Sequence, residues 1–147
     1  MSIILRILPV LVLLSGFHPA ASADHISISN LWISEAPPVA RVHAAYLTIT
    51  NSGSDEIVLQ QIDSPAYSRI EIHRSIIVNH RMTMEAHSQI SIFPDTTFRF
   101  SPGDYHLMLF DPIKPGRAGD KINLIFHFKD DIQFSVSATI RKRENMQ

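Results

Sequence analysis

Four residues of this 147-residue chain could do metal chemistry together: His73, Met84, His106 and Met108. The methionines between the two termini are Met82, Met84 and Met108, and each belongs to this set or lies close to it. The chain contains no cysteine. Imidazoles and thioethers, with no thiolate or carboxylate among them, suit the cuprous ion better than other common metals, because soft sulfur ligands select copper(I) and imidazole is acceptable to it. Structural zinc sites use thiolates and imidazoles, and catalytic ones add a carboxylate or a third histidine with water. Calcium and magnesium want oxygen ligands. A blue-copper electron-transfer site is excluded because its metal needs a cysteine thiolate.

Spacing says how these residues are held. In Tyr105-His106-Leu107-Met108-Leu109, a strand points residues two apart to the same face. His106 and Met108 then project together, while Tyr105, Leu107 and Leu109 form a core face. In Ile70–Glu85, a turn around Val78-Asn79-His80 would fold two strands into a hairpin. A two-residue turn at Val78-Asn79 sets His73 directly across from Met84, and one at Asn79-His80 makes them diagonal neighbours. Both registers keep the two on one face, whereas a one-residue slip would part them. Met82 shares the face of Met84 in either case and is a reserve ligand. An alternative stays open on spacing alone: methionine is a common gap-filler, so the methionines could pack a core while the histidines face water.

The elements that must position these residues are strands. Alternating runs occur at His25–Ile33, Val42–Thr50, Ile57–Ile62, Arg69–Ile77, Arg81–Glu85, Gln89–Phe93, Thr96–Phe100, Tyr105–Phe110, Lys121–Phe128 and Gln133–Ile140. They are rich in β-branched and aromatic residues. Turn-forming residues separate them, including Asn51-Ser52-Gly53-Ser54-Asp55 and Ser101-Pro102-Gly103-Asp104, where glycine suits the positive φ of a type II turn. About nine short strands and no helical period predict an all-β sandwich or barrel. Phe93, Phe98, Phe100, Phe110, Phe126, Phe128 and Phe134 are expected mostly in the core, and Trp32 in the core or at an edge. His43 and His127 are expected to face solvent, and His80 and His87 to be solvated.

Met1–Arg6, the apolar run Ile7–Phe17 and the small-x-small triplet Ala21-Ser22-Ala23 predict a secretory signal peptide, residues 1–23. The apolar run is shorter than the roughly 20 residues a membrane span needs. No cysteine follows it to carry a lipid. Residues 24–147 would form one domain exported to the periplasm. Without Arg6 the chain keeps 12 basic and 14 acidic residues, a net charge of −2. That balance argues against nucleic-acid binding. A fold without disulfides must stand on its core. No spacing suggests a catalytic triad, a carboxylate pair or a phosphate loop, so no enzyme is expected.

His73, ten residues, Met84, twenty-one residues, His106, one residue and Met108 reproduce the ligand signature of the PCuAC family of periplasmic copper chaperones. The chain resembles that family further in Ala44–Asn51, in Ser64-Pro65-Ala66 with Ile70-Glu71-Ile72-His73, and in Pro102–Leu109, so the likeness covers Trp32 through Asp120. The resemblance implies a cupredoxin-like Greek-key β-barrel and one copper(I) held by His73, Met84, His106 and Met108. It also implies delivery towards the CuA centre of cytochrome c oxidase, with that oxidase subunit and Sco-type proteins as partners, by a monomer not inserted in the membrane. Some relatives carry a His- and Met-rich tail for further copper, whereas this chain ends Arg141–Gln147 with only Met146. Two other readings remain: a protein-binding or structural envelope module, and a copper(II) or zinc buffer using His73, His80, His87 and His106.

Overall fold

Alternating burial in almost every element sets the architecture. The computed structural model describes residues 23–142. A short 3-10 turn, Ala23–His25, leads into ten strands. They are β1 (Ile26–Ser34), β2 (Val42–Asn51), β3 (Ile57–Asp63), β4 (Tyr67–Val78), β5 (Arg81–His87), β6 (Ile90–Ile92), β7 (Thr96–Phe100), β8 (Tyr105–Pro112), β9 (Lys121–Phe128) and β10 (Gln133–Arg141). The strand order is β5-β4-β8-β2-β1-β10-β9-β3-β6, with β7 also paired to β2. β1 and β10 run parallel, and the remaining pairs are antiparallel.

β2 changes partner along its length. Val42–Ala45 pair with β8, and Leu47–Asn51 pair with β7. This exchange folds the sheet over a core containing Ile33, Ala45, Leu47, Ile49, Leu59, Leu107, Leu109, Leu124, Phe126 and Ile140. Burying one such aliphatic or aromatic side chain contributes about 1.5–3 kcal/mol. With no cysteine to crosslink the chain, this cluster carries the fold.

The all-β expectation holds, with ten strands rather than about nine. Gly103 has φ 84°, as its turn requires. Two expectations fail. Phe93 is 63% exposed, because it follows the short β6 and leaves the alternation that buries Ile90 and Ile92. His43 is buried instead of solvated, because it shares the core-facing parity of Ala45 and Leu47. Its Nδ1 lies 2.8 Å from the Tyr67 hydroxyl, which satisfies it there. The expected leader, apart from Ala23, falls outside the described residues, as do Arg143 and Met146. Among the described residues no helix is long and apolar enough to cross a membrane.

Candidate metal centre

The β4–β5 hairpin turns on Asn79-His80, and Val78 pairs with Arg81. Both turn residues have positive φ, 50° and 60°. That is the backbone of a type I′ turn, whose twist matches that of the two strands. Of the two registers the sequence allows, the turn selects the diagonal one: His73 lies opposite Ala86, and Met84 opposite Ser75. His73, Met84 and Met82 therefore share a face, with Met82 nearer the tip.

β8 brings the second pair. His73 lies directly across from His106, and Glu71 across from Met108. The two imidazole centroids are 6.2 Å apart. On the far side of β8, Ala44 faces Met108. The opposite parity carries Ile72, Leu107 and Leu109, all within the core. The structure thus gathers His73, Met84, His106 and Met108 on the outer face of three adjacent strands.

Their burial is graded. His106 is 6% exposed, Met108 is partly buried, Met84 is 53% exposed and Met82 is 70% exposed. The gradient follows strand position, since β8 lies between β2 and β4 while β5 ends the strand path.

Hydrogen bonds decide which ring nitrogens are available. His106 Nδ1 lies 2.9 Å from the Asp104 carbonyl oxygen. A carbonyl can only accept, so Nδ1 carries the hydrogen and the neutral ring keeps its lone pair on Nε2. Asp104 is itself fixed: its carbonyl also accepts the Ser75 backbone N–H, and its carboxylate accepts from Arg74 Nε at 3.0 Å. His73 Nε2 donates to Glu71 Oε2 at 2.8 Å, which leaves the lone pair on Nδ1. That Nδ1 is buried and has no hydrogen-bond partner. Glu71 accepts from Arg69 Nε at 2.6 Å through its other oxygen. The His73 hydrogen bond, reinforced by Arg69, holds the Glu71 carboxyl below its usual range.

Glu71 and the Asp104 carbonyl are functional groups that spacing did not single out as partners of the histidines. Glu71 was legible in part, because it lies two residues from His73 and strand parity puts it on the same face. The carbonyl carries no residue-type signal at all.

This arrangement can bind a soft cation through His73 Nδ1, His106 Nε2 and the sulfurs of Met84 and Met108. An orphaned, buried imidazole nitrogen among thioethers fits such an ion. A histidine-only site is not assembled. His87 pairs with Ile72, so it lies on the other face and packs against Tyr105 with ring centroids 5.1 Å apart. His80 stands at the hairpin tip. Among the described residues, no group of three or more His, Asp or Glu is placed to hold a metal.

A family model described as LpqE-like, a lipoprotein family, matches residues 26–140. A protein described as a lipoprotein, Lxx21020 of Leifsonia xyli subsp. xyli, is 29% identical over 124 residues, covering 84% of this chain and 74% of that protein. The uncharacterised protein RP573 of Rickettsia prowazekii is 32% identical over 100 residues, covering 66% of this chain and 54% of that one. Among solved structures, the copper-bound PCuAC domain from PmoF2 superposes with a TM-score of 0.68 at 17% identity, covering 80% of this chain and 93% of the domain. The solution structure of the copper(I) form of DR1885 from Deinococcus radiodurans gives 0.61 at 23% identity, covering 79% and 77%. At these identities the likeness is one of fold. It bears out the cupredoxin-like architecture that the resemblance implied. Both lipoprotein descriptions contrast with the 147 residues here, which hold no cysteine to carry a thioether-linked lipid.

Proposed function

The chain belongs to the LpqE-like family, and from that premise we propose that it is a copper(I) chaperone of the bacterial envelope. One cuprous ion is held by His73, Met84, His106 and Met108. The observation that carries this reading is the buried, partnerless Nδ1 of His73, turned from solvent on a face that also presents His106 and two thioethers. The copper-bound structures that share the fold support it. All four donors are neutral, so the bound ion keeps its charge, and an acceptor with thiolates can compete for it. The PCuAC resemblance supports a destination, the CuA centre of cytochrome c oxidase, with Sco-type thiol proteins as partners. A leader cut after Ala23 would place the carrier in the periplasm as a monomer. It performs no catalysis, since a site built for one copper oxidation state carries cargo.

Anaerobic copper(I) titration against a competing chelator tests the reading. One tightly held ion per chain is expected, lost in the Met84→Ala/Met108→Ala double variant. Retention of copper by that variant, with loss in His80→Ala/His87→Ala, would instead favour a histidine buffer. A chain that takes up no stoichiometric metal would be an envelope binding module.

A further inference from the structure

Four buried side-chain polar atoms among the described residues lack a hydrogen-bond partner: Ser34 Oγ, His73 Nδ1, His87 Nε2 and His127 Nε2. The last two each face a carboxylate, Glu85 at 3.8 Å and Asp63 at 2.9 Å. Ser34 Oγ and His73 Nδ1 face none, and both lie on the ligand face. Ile33 pairs with Ala45 in the core, so Ser34 projects on the opposite side, level with Ala44, which faces Met108. The row across the sheet reads Ser34, Ala44, Met108, Glu71.

A groove of about 140 Å³ lies over this row. Ala44 forms part of its floor, and a longer side chain there would fill it. Ser34 and Glu35 line one side, and Met84, His106 and Met108 line the other. The groove is therefore walled on one side by three of the four copper ligands and on the other by a serine hydroxyl that is 2% exposed. Glu35 does not compete for the hydroxyl's role, because its Oε1 accepts the Ala118 backbone N–H at 2.8 Å.

A buried hydroxyl without an acceptor favours a ligand that brings lone pairs. A cuprous ion beside it favours a soft, singly anionic donor, whose charge the ion balances. We propose that this groove is an entry subsite for a cysteine thiolate of the partner that exchanges copper with this protein. In it, Ser34 Oγ–H donates to the sulfur as that sulfur binds the copper. The proposal rests on the copper(I) reading above. The incoming thiol binds as thiolate and its proton goes to the buffer. A copper–sulfur bond forms, then the bond to Met84, on the exposed strand β5, breaks. Copper stays in the +1 state throughout, and no electron moves.

The test uses the purified protein loaded anaerobically with copper(I), with N-acetylcysteine as the probe. Methionine methyl NMR reports binding, and copper X-ray absorption counts the sulfurs. The wild type should form a ternary complex with one added sulfur. Ser34→Ala should keep the copper affinity and the melting temperature, since removing an unsatisfied hydroxyl costs little, while weakening thiol binding about tenfold or more. Ala44→Val should weaken it in the same direction by filling the groove. The proposal falls if copper-loaded wild type forms no ternary complex. It falls equally if both variants bind the thiol as the wild type does, or if Ser34→Ala lowers stability and leaves thiol binding unchanged, which would make the hydroxyl structural only. A wild type that holds no copper(I) overturns the underlying reading, and the subsite with it.

Discussion

The two halves of the candidate site are built differently. His106 and Met108 stand on β8, which has a strand on each side and leucines 0% exposed beneath it. Met84 stands on β5, a terminal strand of the path, six of whose seven residues are exposed. One half is fixed by packing and by the Asp104 carbonyl, while the other is held by a single neighbour and a two-residue turn. Edge strands open at lower free energy than central ones. A carrier needs that asymmetry: the β8 half retains the ion, and the β5 half lets an acceptor in. His73 on β4 stands between them, tied to both by register and to Glu71 by its own hydrogen bond.

The sharpest way to break this comparison is to remove the fixed half. His106→Ala should weaken copper(I) binding more than about 100-fold, beyond what losing an outer hydrogen-bond partner costs, as read by chelator competition. A smaller loss than for Met84→Ala would invert the assignment of the halves. Glu71→Ala comes next. It frees the His73 ring from its tautomer and orientation, and an affinity loss of about 10–100-fold is expected. An unchanged affinity would mean that His73 binds through Nε2 or not at all.

Met84→Ala should cost less, about tenfold by comparison with that range, and should raise the rate of transfer to a dithiol. Slower transfer would show that the edge thioether is a guide rather than a latch.

Acid sharpens the comparison from beneath the fixed half, where burial pushes the His43 imidazole below its usual value. The unfolded chain then binds a proton at His43 that the folded chain resists, so stability falls as pH drops below about 6.5. Denaturant melts of the metal-free protein between pH 7 and 5 should show this slope, reduced in His43→Leu. Burial also raises the Tyr67 hydroxyl to about 12, so Tyr67 contributes stability that is lost as pH rises from about 10 through that value. The smallest effect belongs to the hairpin tip. His80→Gly relieves a non-glycine residue at φ 60° and should stabilise the fold by up to about 1 kcal/mol, with copper affinity unchanged.

Comparing His73 with His43 shows where sequence reading stops. Each interrupts an alternating apolar run, and nothing in residue type separates them. His43 is buried against the Tyr67 hydroxyl, twenty-four residues away, whereas His73 keeps a bare nitrogen. Phe93 failed as a core residue for a related reason: its run ends after β6, and only the sheet's edge shows which side it takes. Ser34 gave no signal in the sequence, because its meaning depends on Ala44 and Met108 lying beside it.

By itself the sequence determined the donor types, the absence of any thiolate and the strand parity that keeps His106 with Met108 and His73 with Met84. These follow from side-chain chemistry and the two-residue period, both local. The tertiary structure decided that His73 faces His106 across β4 and β8, that Glu71 and the Asp104 carbonyl choose the exposed lone pairs, and that β5 lies at the edge. Those facts depend on pairings between residues some thirty positions apart. Such pairings are set by how the whole core closes, and no local pattern encodes them.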